Sequence, residues 1–144
     1  MILRLPPYRI IILLCLIIIT PLGLLSKAYQ GIGQEWVKNY SGDVLYEIFW
    51  CLAIFWFIHP VKDLEKLSEI TLKIALWVFT VTCAIEVSQL WFYLVPEAIR
   101  FSLIWRLLLG AGFDWWDFPH YALGSFLGWW IIDLTGRVSL AKKG

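Results

Sequence analysis

Charged residues are scarce in this chain. Only 16% of its 144 residues are charged, while 60% are hydrophobic; average soluble domains carry about 25% charged residues. A single domain of this length cannot bury so much apolar surface, which predicts an integral membrane protein with the lipid bilayer as its first partner. The net charge is only +1, so the chain lacks the basic surface that nucleic-acid binding requires.

Cysteine motifs and catalytic signatures are also missing. The three cysteines, Cys15, Cys51 and Cys83, lie inside apolar runs at spacings that match no metal or redox motif. We interpret them as small buried hydrophobic residues. The chain has no GxSxG, HExxH, P-loop or CxxC pattern. The sequence therefore predicts no metal site, identifies no cofactor, and leaves open whether the protein is an enzyme.

Long apolar runs dominate the chain instead. Four of them predict transmembrane helices, at about residues 8–25, 42–58, 70–95 and 118–134. A leucine-rich run at about 97–109 is too short to span and carries two arginines, which predicts an interfacial or re-entrant helix. The predicted fold is therefore all-α, with four transmembrane helices, a short helix between the third and fourth, and one membrane domain over 1–144.

Two features of the flanks bear on the topology. Ser26-Lys27-Ala28 is a passable signal-peptidase site, but Lys27 suits it poorly and the preceding run is long, so we favour a retained first helix over a cleaved signal.

Eight of the twelve Lys and Arg residues fall on the side of the two termini. Both termini are therefore predicted to be cytoplasmic, in a bacterial inner membrane, with the 96–117 segment facing outward.

Glu86 is the costliest residue of the sequence, because a carboxylate at membrane depth must be paired or neutralised. Thr82, Gln89 and Tyr93 share its helical face. Two interpretations stay open: polar contacts that hold helices together, or a substrate or proton site.

Two arginines in the outward segment are potential partners for buried acids. Arg106 is open to pairing with Glu86, Asp114 or Asp117, or to reaching lipid phosphates. For Arg100 we favour the lipid headgroups.

One face of the last helix combines polar and small residues. Asp117, Tyr121, Gly124 and Gly128 follow each other at spacings of four, three and four. The Gly124–Gly128 pair is a GxxxG pattern, which lets another helix approach closely and would carry Asp117 and Tyr121 into the bundle. Helix capping is the alternative for Asp117 and for Asp114.

These positions together predict an outward-facing polar pocket. Its members are Glu86, Gln89, Arg106, Asp117 and Tyr121, with Arg100, Asp114, His120, Asp43 and Glu47 as secondary candidates. We interpret His120 as an interfacial polar residue, with a metal or pigment ligand, or a proton shuttle, as alternatives. Asp43 is placed to cap the second helix, and Glu47 to join the outer cluster.

Several short patterns follow one another along the chain: GDVL at 42–45, EVSQ at 86–89, arginines at 100 and 106, LLG at 108–110, GFDWWD at 112–117 and YALG at 121–124. Over about 42–130 they resemble the domain-of-unknown-function 2809 family of small bacterial membrane proteins. More distantly the chain resembles VanZ-like proteins, in which an E-x-x-Q-like helix and an arginine precede D-x-x-x-N-x-x-G. Asp117 and Gly124 fill the D and G positions, whereas Tyr121 replaces the Asn.

The resemblance implies a four-helix membrane fold. For VanZ-like proteins it also implies association with the cell envelope and teicoplanin resistance, but no mechanism. Two functions remain open. One is a pocket that binds an envelope or lipid-linked anionic ligand through arginine. The other is a non-enzymatic accessory subunit of a larger membrane complex, or a homo-oligomer, since ten Trp offer much lateral contact area. A transporter ranks third, because four short helices would need to oligomerise.

Overall fold

The computed structural model describes residues 6–58, 61–102, 104 and 112–141, and within them every regular element is helical. The elements are α1 (Pro7–Ser26), α2 (Gln34–Trp36), α3 (Gly42–Phe57), α4 (Leu64–Ser88), α5 (Glu97–Arg100) and α6 (Asp117–Ala141). A π-helical turn, Val37–Ser41, joins α2 to α3, and a 3₁₀ turn, Gln89–Leu94, extends α4. All-α architecture is therefore confirmed for the described residues.

Two helix boundaries differ from those expected from hydropathy. α4 begins at Leu64, six residues before its apolar run, because the Asp63 side chain caps it by accepting a hydrogen bond from the Glu65 N–H at 3.2 Å. α6 continues to Ala141, seven residues past the predicted end, and an Asp133–Arg137 ion pair one turn apart supports this polar extension. Of the predicted 97–109 helix, α5 is the described part; residues 103 and 105–111 lie outside the described ranges.

Two helical stretches, Pro7–Ser26 and Leu64–Trp91, are long and apolar enough to cross a membrane. α1 illustrates why: its buried apolar residues are Tyr8 and Ile12, while most of its other Ile and Leu side chains are exposed. An exposed apolar surface of this extent fits contact with lipid rather than with water.

Helix α3 lies at the centre of the bundle, where it packs against α1, α4 and α6. Its contact with α6 is very close. A Cβ atom added to Gly124 would lie 2.6 Å from the Val44 carbonyl oxygen, and one added to Gly128 would lie 2.7 Å from the Cys51 Cβ. The two glycines therefore lie at the helix contact that their spacing suggested. Gly136 likewise allows a close contact between α6 and α4, since a Cβ atom added to it would lie 2.5 Å from a Leu67 methyl group.

Candidate functional site

Three helices each contribute two polar residues spaced four apart, which places them on one face one turn apart. One residue of each pair lies nearer the end of the bundle at which α3 and α6 begin and α4 ends. These three residues, here called the terminal layer, are Asp43, Glu86 and Tyr121. Glu47, Thr82 and Ser125 lie one turn deeper and are called the inner layer. Five of these six residues are buried, and Asp43 is partly exposed. Polar groups therefore run into the centre of an apolar bundle.

Glu86 is the hub of the terminal layer. It is 1% exposed, and its carboxylate accepts three hydrogen bonds. Oε1 accepts from the Asp114 N–H at 2.7 Å, while Oε2 accepts from the Gln89 amide at 2.8 Å and from the Tyr121 hydroxyl at 2.9 Å. Three donors compensate a buried carboxylate for lost water. Glu86 thus joins the end of α4 to the start of α6 and to the turn before it.

Asp114 shapes that turn. Its side-chain Oδ1 accepts from the Trp116 N–H at 3.0 Å, and its carbonyl oxygen accepts from the Asp117 N–H at 3.2 Å. Such a side-chain-to-backbone bond is typical of Asp just ahead of a helix. The capping type of contact thus belongs to Asp114. The Tyr40 hydroxyl also approaches Asp114 Oδ2, at 3.5 Å.

Asp117 is the first residue of α6 and precedes the apolar part of that helix. Within the described chain its carboxylate makes no hydrogen bond, but it lies near other carboxylates. Partial burial raises its pKa to about 7, and the negative charges of Asp43, Glu86 and Asp114 add to the rise, whereas His120 lowers it. Asp117 is thus the acid of this cluster whose charge is least compensated by the groups that the structure describes.

His120 is held by neighbours at the bundle end. Its Nδ1 donates to the Trp116 carbonyl at 2.6 Å, and its ring stacks on Tyr40 with centroids 4.4 Å apart. This placement fits an interfacial polar residue. Among the described residues, no group of three or more His, Cys, Asp and Glu side chains is arranged to hold a metal ion.

Glu47 lies in the inner layer and is 0% exposed. Its Oε2 accepts from the Ser125 hydroxyl at 2.5 Å. Its Oε1 has no hydrogen-bond partner among the described residues. Glu47, expected among the outer acids, thus lies one turn deeper, beside Ser125, for which the sequence indicates no role. The repeated spacing of four on α3, α4 and α6 marks both residues as facing the bundle interior, although it does not show that they meet.

The predicted pocket is only partly described. Glu86, Gln89 and Tyr121 are in direct contact, and Asp114 and Asp117 adjoin them. Arg106 lies outside the described residues, as do the side chains of Arg100 and Tyr93. Lys27 is a cation close enough to Asp43 to act on it electrostatically, and its Nζ donates to the Lys38 carbonyl at 2.9 Å. The described part of this bundle end is therefore mainly acidic.

An apolar groove of about 250 Å³ runs between α4 and α6. Its walls include Leu76, Phe79, Phe126 and Trp129, and Ser125 is the hydroxyl-bearing residue of its lining. The groove therefore borders Ser125 of the inner layer.

Comparison with known proteins identifies a family. The model of the DUF2809 family, described as a protein of unknown function, matches residues 32–125, a range that includes all six residues of the two layers. No curated protein and no solved structure matches the chain significantly. Because the match covers well over half of the chain, the protein belongs to the DUF2809 family of proteins of unknown function.

Proposed function

We propose that the chain is an integral membrane protein that binds an anionic, lipid-linked ligand of the cell envelope at the terminal layer. The supporting observation is the convergence of Glu86, Asp114 and Asp117 at one end of an apolar bundle. Several carboxylates gathered at a membrane surface require cationic partners. Arg100 and Arg106, in the segment that leads to Asp114, are the residues available to supply them.

Arginine suits a site that must satisfy carboxylates and an anion together. A guanidinium has five N–H donors, and pairing with one carboxylate uses two of them. The remaining donors of Arg106 are then available to a phosphate group. The more distant likeness to VanZ-like proteins, which are associated with the cell envelope, agrees with a ligand of that origin.

The proposed topology has four membrane-spanning helices with both termini in the cytoplasm. α1 and α4 have the required length and hydropathy. α3 has only 16 residues, but α2 and the π-helical turn extend its helical run to Gln34. α6 has 25 residues, about 37 Å at 1.5 Å per residue. These lengths suit a hydrocarbon core about 30 Å thick.

Topology is tested by cysteine labelling in intact cells, in a variant without native cysteines. Ile32, which is 98% exposed, lies in the loop proposed to face outward, and Lys62 lies on the opposite side. I32C should react with a membrane-impermeant maleimide from outside, and K62C only after permeabilisation. The reverse pattern would overturn the orientation, and labelling of both from outside would overturn the four-span topology.

Ligand binding is tested on protein purified in lipid nanodiscs, titrated with a polyprenyl phosphate and followed by native mass spectrometry. R106Q and D117N should each weaken binding at least tenfold. E69Q is the matched control, since Glu69 is exposed and pairs with Lys73 on α4 away from the terminal layer. Equal binding by all four proteins, or no binding by the wild type, would contradict the proposal.

A second function, accessory subunit of a membrane complex, is favoured by the exposed tryptophans. Trp77, Trp91, Trp115, Trp116 and Trp130 are all more than half exposed and lie on different parts of the bundle. Aromatic side chains of this kind contribute strongly to lateral contacts. Native mass measurement after gentle detergent extraction separates the two: a stoichiometric complex supports the subunit role, and a lone monomer argues against it.

A further inference from the structure

Glu47 combines complete burial with a carboxylate oxygen that has no partner among the described residues, whereas Asp133, the other buried acid with such an oxygen, pairs with Arg137. Glu47 itself is 0% exposed. Gly124 packs against its Cβ, since a Cβ added at that glycine would lie 2.5 Å away. This close packing leaves no room for a bulkier compensating group on that side.

Among the residues that the structure describes, the charged and titratable groups around Glu47 provide no positive charge. On α3 these are Asp43 one turn before, the adjacent Tyr46, and Cys51 one turn after. On α4 they are Cys83 and Glu86, and on α6 Tyr121 lies one turn before Ser125. Each of these groups is neutral or negative when it ionises. An ionised Glu47 would therefore be an unpaired anion inside an apolar bundle, which is strongly unfavourable.

The hydrogen-bond roles of its neighbours suit a neutral acid. Ser125 donates its hydroxyl proton to Oε2. Thr82, which lies beside Glu47, directs its own hydroxyl proton to the carbonyls of Val78 and Phe79, at 3.0 Å each. Its oxygen lone pairs therefore remain available to accept, which makes Thr82 an acceptor beside the carboxyl group of a protonated Glu47. The two donors, the Ser125 hydroxyl and a protonated Glu47, thus have two acceptors, Glu47 Oε2 and the Thr82 oxygen.

We propose that Glu47, Thr82 and Ser125 form a proton-binding site in the interior of the bundle, in which Glu47 Oε1 carries an exchangeable proton. Asp43, one turn nearer the bundle end and partly exposed, is the acid through which that proton exchanges with water. The site is distinct from the ligand site of the terminal layer, because it involves different atoms and does not need the arginines.

Infrared spectroscopy of the purified protein tests the protonation state directly. Asp117, whose pKa is raised to about 7, would contribute to the same band, so the comparison is made in a D117N background. At neutral pH the D117N protein should show the carbonyl stretch of a protonated carboxylic acid, with an isotope shift after transfer to heavy water. The E47Q/D117N protein should lose this band, and the E69Q/D117N protein should keep it. No protonated-acid band in D117N at neutral pH, or a band that persists in E47Q/D117N, would overturn the proposal.

Labelling with dicyclohexylcarbodiimide is the second measurement, and it does not depend on a substituted residue 47. This apolar reagent reacts with protonated carboxyl groups and can approach through the groove that Ser125 lines. Peptide mass analysis should locate the N-acylurea adduct on Glu47, with a rate that falls at least tenfold as pH is raised over the range in which the infrared band disappears. Absence of the adduct on Glu47, or a rate independent of pH, would overturn the proposal. Protection by Na⁺ at constant pH would show a sodium site instead and would overturn the assignment to a proton.

Discussion

Glu86 and Glu47 are both glutamates, both fully enclosed and only one helical turn apart in depth, yet their surroundings are opposite. Glu86 accepts from three donors that come from α4, α6 and the turn between them. Glu47 accepts from one donor, and its other oxygen faces no donor among the described groups. Burial alone therefore does not decide what a membrane-depth acid does; the number of donors aimed at it does. The first environment suits an anion, and the second suits a neutral acid.

The largest expected effect comes from replacing the acid that has three donors. In E86Q one carboxylate oxygen becomes an NH₂ group that faces donors instead of accepting from them. We expect a loss of about 3 kcal/mol in the free energy of unfolding, because buried donors are left unsatisfied. Denaturant titration in detergent measures it. E69Q, an exposed ion-pair variant on the same helix, should leave stability nearly unchanged. An equal change in stability in both variants would show that the three hydrogen bonds to Glu86 do not stabilise the fold more than an exposed ion pair does.

The next effect concerns the contact that holds the inner layer together. G124A places a Cβ 2.5 Å from the Glu47 Cβ and 2.6 Å from the Val44 carbonyl oxygen, so α3 and α6 must move apart. We expect a loss of about 2 kcal/mol in stability. In G23A the new Cβ meets Leu45 at an ordinary 3.9 Å, and helix propensity favours Ala. A G124A protein as stable as G23A would show that the helices adjust freely.

A smaller effect is expected from the pH dependence of Asp117. Its pKa is raised in the folded protein to about 7 from the ordinary aspartate value of 3.8, so the folded state binds more protons than the unfolded state between these values. The stabilising contribution is complete below about pH 4 and is lost as pH rises through about 7. The stability of the wild type should therefore fall relative to D117N across this range, as followed by thermal unfolding. Parallel curves for the two proteins would contradict the assignment.

The smallest effect is expected at the other glutamate. If Glu47 is a neutral acid, glutamine reproduces it: the amide oxygen accepts from Ser125 and the NH₂ group donates to Thr82. E47Q should then change the free energy of unfolding by less than about 1 kcal/mol, measured beside E86Q in the same titration. A loss as large as that of E86Q would mean that Glu47 is ionised in the folded protein.

Much of this organisation could be predicted from the sequence, because the spacing of apolar, small and polar residues indicates where helices lie and which faces turn inward. The apolar runs predicted the helices, and the positions of Gly124, Gly128 and Tyr121 predicted which face of α6 turns inward. The contact between Glu47 and Ser125 was not predictable, because it joins residues 78 apart and depends on which helices become neighbours. The start of α4 was also missed, since the Asp63 cap lies ahead of its apolar run.

The hydrogen bond between Glu86 and the Asp114 N–H spans 28 residues of sequence. It closes the connecting segment into a ring, as a disulfide would, and removes part of the freedom that a loop of this length has in the unfolded chain. A disulfide needs an oxidising compartment and opens only by reduction. A hydrogen bond needs neither. The last helix is thus tied to the end of α4 by a contact that does not depend on the redox state of the compartment.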